Sequence, residues 1–216
     1  MSDDPVALRE ESLVRLQSLL DSIDGPQVTL IGDTMLDRYH YGFANNLNST
    51  APVPVLKIFQ SDESPGASAH IAIGLTSFGM NVSFHTAIGD DDEGESIISS
   101  LKNMDISIDN VVEVSDRKTL TKIRFFGSRE SLLDRRQILL QADRGPNKTL
   151  ELEISDSLTK SAHSSISNSC ALVISDYDKG VVTLDGSQSL ISAANKLGIP
   201  AIVDPKLTGL DKSRGA

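Results

Sequence analysis

Runs of apolar and β-branched residues that end abruptly in an aspartate set the frame of this chain. Val28-Thr29-Leu30-Ile31 runs into Gly32-Asp33, a pattern that predicts a buried strand closed by a tight polar turn. The same pattern returns at Cys170-Ala171-Leu172-Val173-Ile174 before Ser175-Asp176, and at Ala201-Ile202-Val203 before Asp204-Pro205-Lys206. In an open parallel sheet, ligands sit beyond the carboxyl ends of the strands. Three such strands would line one edge with three carboxylates.

Helical spacing fills the intervals. Over residues 4–23, Asp4 suits the cap and Pro5 the first helical position. Leu8, Leu13 or Val14, Leu16, Leu20 and Ile23 then recur on one face until Gly25-Pro26. Such a helix packs on the sheet or serves as an oligomer contact. Residues 38–60 carry Tyr39, Tyr41 and Phe43, then an alternation from Val53 to Ile58. Pro52 and Pro54 confine that alternation to an edge strand, so the segment reads as a flap over the strand ends.

Ser64-Pro65-Gly66-Ala67-Ser68-Ala69-His70 opens a helix with Ile71, Leu75 and Phe78 inside and Gly79 at its end. Its small-residue N-terminus suits an anion or a hydroxyl, or close packing on the sheet. His70, taken alone, reads as a surface or internally satisfied histidine. A strand is predicted at 82–88. Asp90-Asp91-Asp92 then reads as cap and helix-dipole chemistry for a helix over 93–103, without the ligand spacing of a calcium loop.

Short strands follow at 111–114, 119–126 and 138–140, joined by a basic segment with Arg129, Arg135 and Arg136. Residues 111–143 would thus form a second β excursion completing the flap. Lys122 and Arg124 alternate onto one face, which suits a substrate phosphate or a solvated surface. Helices at 149–168 and 185–197 complete an α/β order, that of a doubly wound, mainly parallel sheet with helices on both faces in one domain.

Composition narrows the partners. The 216 residues suffice for one sizeable core. Thirty acidic residues against 20 basic ones give a net charge of −10. That excess disfavours non-specific nucleic-acid binding, but not a small anion held by a local cluster of donors. The single Cys170 reads as a core thiol in a reducing compartment. No apolar run reaches membrane-spanning length, and the acidic start is unlike a signal peptide. A cytoplasmic protein with no membrane or nucleic-acid partner is expected, and the sequons at Asn48, Asn81 and Asn147 then read as chance matches. Neither a Walker phosphate loop nor a dinucleotide fingerprint occurs.

Eight stretches in order carry a resemblance. They are GDTMLDRY at 32–39, APVPV at 51–55, PGASAHIA at 65–72, IGDDDEG at 88–94, TKIRF at 121–125, QILLQAD at 137–143, SDYDKGV at 175–181 and VDPK at 203–206. Together the set resembles the ribokinase-like (pfkB) carbohydrate kinases. Within them it is most similar to the heptose-7-phosphate kinase domains of bacterial bifunctional ADP-heptose synthesis enzymes. The resemblance implies a sugar-phosphate pocket under a small β lid. It also implies ATP- and magnesium-dependent phosphorylation of the anomeric hydroxyl in ADP-heptose synthesis, toward lipopolysaccharide core, and dimers formed through the lid. On this pattern Asp33 would accept sugar hydroxyls, with Asp37 and Asp176 beside it, and Gly66 would let backbone approach the sugar. His70 stands in place of a sugar-binding Asn. Arg124 and Lys179 would face the substrate phosphate, and Lys206 the nucleotide.

The departures define what is to be tested. Ala67 replaces a glycine, an unfavourable change if that position has positive φ, and His70 cannot copy an amide's paired donor and acceptor. Gln141 removes a cation. Relatives carry further motifs beyond the equivalent of Ala216, among them Gly-Ala-Gly-Asp with the general base, and this sequence contains none of them. No catalytic residue and no metal ligand is therefore assigned, and the fold is expected to be truncated at its C-terminal side. An apolar edge near Ile202 would then be left to self-association or to a complementing segment. The alternative is a catalytically inactive sugar-phosphate-binding or interaction protein derived from such a kinase.

Overall fold

A computed structural model describes residues 5–22, 24–128, 136–146 and 148–216. The expectations placed on Asp4, Ile23, Arg129, Arg135 and Asn147 concern residues outside these. Among the described residues, two sheets share the strands. One is five-stranded and wholly parallel, in the order β5-β4-β1-β8-β9. Its strands are β1 (Gln27–Gly32), β4 (Asn81–Gly89), β5 (Val111–Val114), β8 (Ala171–Ser175) and β9 (Ala201–Asp204). The other, in the order β3-β2-β6-β7, is built from β2 (Thr34–Leu47), β3 (Pro54–Ala67), β6 (Thr121–Ser128) and β7 (Gln137–Arg144).

The parallel sheet is buried on both faces, as its near-continuous apolar strands require. Leu30, Phe84 and Ile88 face helices α2 (Ser68–Ser77) and α3 (Asp92–Asn103), which supply Ala69, Ala72, Ile97 and Leu101. The alternate positions Ile31, Ala87, Leu172 and Ile174 face α4 (Leu152–Ile166) and α5 (Leu184–Lys196), which supply Leu158, Ala162, Leu190 and Ile191. Asp91 caps α3 by accepting the Gly94 N–H at 3.1 Å, and Thr183 caps α5 by accepting that of Gly186 at 3.0 Å.

Four local expectations are corrected. Residues 111–114 join the parallel sheet beside β4 and not the second sheet; four residues carry too little pattern to choose a partner. The helix begins at Ser68 and not Ser64, because Ser64–Ala67 continue β3 in register with Thr34–Asp37 of β2. Cys170 is exposed, one residue before β8, and is no core thiol. Helix α1 (Pro5–Asp21) forms, but Leu8, Leu13, Val14, Leu16 and Leu20 remain exposed and do not pack on the sheet. No helix among the described residues is long and apolar enough to cross a membrane.

Ala67 carries a φ of 53° and a ψ of −129°, a region suited to glycine. Relief of that strain outweighs the added freedom of the unfolded chain. Ala67→Gly should therefore stabilise the fold by about 1 kcal/mol and raise Tm by roughly 2–4 °C. An unchanged or lowered melting temperature would contradict the strain.

Candidate functional site

β1, β8 and β9 lie side by side, so Asp33, Asp176 and Asp204 share the carboxyl edge of the sheet. Asp33 and Asp176 are buried there, whereas Asp204 is exposed. Asp33 is 1% exposed. Its Oδ2 accepts the N–H groups of Tyr177 (2.9 Å) and Lys179 (3.0 Å), and its Oδ1 that of Val181 (3.1 Å). Burial pushes its carboxyl above the ordinary range, against the pull of these three donors, and nearby Asp176 adds to the push. A carboxylate so enclosed is turned away from any ligand, so the sugar-hydroxyl role expected of Asp33 does not fit its geometry.

Asp176 is equally buried. Its Oδ1 accepts the Asp178 N–H at 2.9 Å, and Lys212 Nζ lies 2.8 Å from Oδ2, in an ion contact without hydrogen-bond alignment. Lys212 comes from a 3-10 segment, Leu207–Ser213, that folds back on α5 through Ser187 Oγ and Gln188 Nε2. Asp176 is thus also occupied from within.

A cleft of about 340 Å³ opens beside this edge. Lys122 of β6, Asp143 and Arg144 of β7, Tyr177, Lys179 and Lys206 line it, with Met35 and Leu120 as apolar walls. Lys122 stands in register with Asp37 on one side and Asp143 on the other, and its Nζ lies 5.8 Å from the centre of the Tyr177 ring. Burial, then Asp204 and Asp37, push the Tyr177 hydroxyl above its ordinary pKa, so it stays a neutral donor at physiological pH. Arg144 ion-pairs with Glu93 at the head of α3, which also holds Arg38 at 3.3 Å. Four cations thus converge on one space. That is a surface for an anionic ligand.

Asp37 lies one strand away, and its Oδ1 accepts from Arg124 Nη1 at 2.7 Å. Both side chains are only partly exposed, at 17% and 21%. Gly66, opposite Met35 in β3, makes room for this carboxylate: a Cβ there would stand 2.3 Å from Asp37 Oδ2. His70 is exposed on the first turn of α2.

The structure therefore brings Lys179 and Lys206 to the cleft, groups Asp37, Arg124 and Gly66 beside it, and withdraws Asp33 and Asp176 into the protein. Lys122 was legible as a candidate phosphate cation from its alternation with Arg124. Tyr177 and Asp143 sit in recognisable motifs and Arg144 just beyond one, but none carries a signal of its own, because only the meeting of β7 with the turn after β8 makes them neighbours. Among the described residues, no group of three or more His, Cys, Asp or Glu side chains is placed to hold a metal ion.

Residues 26–212 match the pfkB family carbohydrate kinases. The chain is 36% identical over 190 residues to the bifunctional protein HldE of Actinobacillus pleuropneumoniae serotype 5b, covering 88% of this chain and 38% of that protein. HldE of Shigella dysenteriae serotype 1 is 35% identical over 189 residues, again with 88% of this chain and 37% of the relative covered. The chain thus spans well under half the length of these relatives. In fold it resembles phosphofructokinase-2 from Escherichia coli in complex with fructose-6-phosphate, at a TM-score of 0.60 and 21% identity over 87% of this chain and 57% of that one. Arabidopsis thaliana ribokinase complexed with ribose and ATP gives a TM-score of 0.57 at 16% identity, over 84% and 54%.

Proposed function

The chain belongs to the pfkB family of carbohydrate kinases, and on that premise we propose that it forms the sugar-phosphate-binding half of a cytoplasmic heptose-7-phosphate kinase. The observation that carries the reading is the cleft ringed by Lys122, Arg144, Lys179 and Lys206 next to a carboxylate held by Arg124. A sugar phosphate offers the matching groups: a dianion for the cations, and hydroxyl donors for an ionised carboxylate, which only accepts.

Asp37 takes the sugar hydroxyls in this reading, in place of Asp33. Lys122 and Lys179 face the sugar's phosphate, and Tyr177 offers a hydroxyl donor between them. Lys206, exposed at the outer rim, faces the nucleotide. ATP would supply the γ-phosphoryl group. Positioning and charge stabilisation dominate that chemistry, and these residues contribute the positioning of the acceptor. Magnesium would accompany the nucleotide, held largely by its phosphates and water. The second sheet would act as a lid, and its apolar groove of about 380 Å³, lined by Val53, Leu56, Phe125 and Leu139, would join two copies in a dimer.

Coupled assay of ADP release with ATP, magnesium and heptose 7-phosphate tests the reading. Turnover by this chain would support the kinase activity and contradict its being the binding half alone. Sugar-phosphate binding without turnover would support the binding half, or a non-catalytic sugar-phosphate-binding protein. Neither binding nor turnover by folded protein would contradict both.

Gly66→Ala probes the same geometry. The added methyl displaces the Asp37 carboxylate and breaks its contact with Arg124. Sugar-phosphate affinity should fall roughly tenfold, about the worth of one charge-assisted hydrogen bond. Unchanged affinity by titration calorimetry would remove Asp37 from the site.

A further inference from the structure

The turn after β8 owes its shape to one buried side chain. Asp178 and Gly180 have left-handed backbone, with φ of 59° and 103°, and they alternate with residues whose amides point inward. Such alternation of backbone makes a nest, a concavity of N–H groups suited to an anion. Here the anion is internal: the Asp33 carboxylate accepts from Tyr177, Lys179 and Val181.

The main chain of Asp33 is committed as well. Its N–H donates to the Ser175 carbonyl at 3.1 Å, and its carbonyl accepts from Ser68 N at 3.1 Å and Ser68 Oγ at 2.7 Å. One residue therefore ties the end of β1 to the end of β8, the start of α2 and the turn beyond. From the opposite side, Arg117 Nη2 donates to the Lys179 carbonyl at 2.8 Å. The peptide groups on both sides of the Lys179 Cα are thus fixed, and its side chain is left to the cleft.

We infer that Asp33 is a positioning residue, which fills the backbone nest of residues 177–181 and thereby holds Lys179 at the cleft without touching the ligand. Lys179 as a phosphate contact rests on the sugar-phosphate reading; the clamp itself does not. A non-glycine residue in the left-handed region is strained, and Asp178 persists there because Asp33 and Asp176 satisfy the amides around it. Asp33→Asn keeps the shape but turns an NH2 group toward N–H donors, or gives up one oxygen.

Two measurements need no ligand. In the wild-type chain, the amides of Tyr177, Lys179 and Val181 should exchange with solvent at least 100-fold more slowly than unstructured amides; rapid exchange would overturn the clamp even where the variant fails to fold. With lysines reductively 13C-methylated, the Lys179 resonance, assigned by its loss in Lys179→Arg, should move to the free-lysine position in Asp33→Asn. A resonance that stays in place would overturn positioning.

A third measurement uses heptose 7-phosphate. Asp33→Asn should weaken its binding about tenfold, yet add less than twofold in a Lys179→Met background. Full additivity would mean that Asp33 acts on the fold at large and not through Lys179. Absence of any wild-type binding, with protected amides and a displaced lysine resonance, would contradict the sugar-phosphate reading and leave the clamp supported.

Discussion

Asp37→Asn is expected to weaken heptose 7-phosphate binding about 10- to 100-fold, while stability falls by less than about 1 kcal/mol. The first figure follows from hydrogen bonds to a charged acceptor, worth ~1.5–3 kcal/mol each. The amide loses one acceptor oxygen and leaves the Arg124 guanidinium, now at 2.7 Å from Oδ1, without its counter-charge. The second figure follows from exposure. Both partners keep some contact with water, and pairs of that kind contribute little to folding. Calorimetry and a denaturant melt on the same preparation separate the two effects. A variant that binds as the wild type does would place the sugar elsewhere.

The second large effect is on acid stability, and it comes from beneath the sheet. His85 on β4 is fully buried, with Ser83 Oγ at 3.0 Å and Ser165 Oγ at 3.4 Å from its Nε2 and no partner for Nδ1 among the described residues. Among the described residues no carboxylate is paired with the ring, and burial pushes its pKa from 6.5 down to about 4. The folded state therefore binds the proton less readily than the unfolded chain does. Stability from this residue is fully present above about pH 6.5 and is lost progressively as pH falls toward 4. The full loss is about 3 kcal/mol, a large share of an ordinary folding free energy. Denaturant melts between pH 7 and 4 should show that fall in the wild type, and a slope reduced by one proton in His85→Gln. Equal slopes in the two proteins would contradict a neutral buried His85.

Several of these features could be read in the chain and others could not. The strands ending in Asp33, Asp176 and Asp204 were legible because buried parallel strands need continuous apolar runs, and a polar residue marks where the run leaves the core. The destination of each carboxylate was not. Asp33 and Asp37 stand four residues apart in one motif. Three amides that lie 144 to 148 residues further along the chain turn Asp33 inward, while Arg124 on a neighbouring strand holds Asp37 beside the cleft. The resemblance singles out Ala67 as a position where positive φ would matter, and the structure supplies that φ, whereas the extension of β3 through Ser64–Ala67 depends on pairing with β2. In α1 the periodicity showed an apolar face and could not show what covers it.

The most direct test of the central claim is calorimetric titration of the purified chain with heptose 7-phosphate, set against the same heptose without its phosphate. The cleft of Lys122, Arg144, Lys179 and Lys206 predicts saturable binding of the phosphorylated sugar and at least a tenfold loss when the phosphate is removed. Equal affinity for the two sugars, or no binding of either by a folded sample, would contradict it.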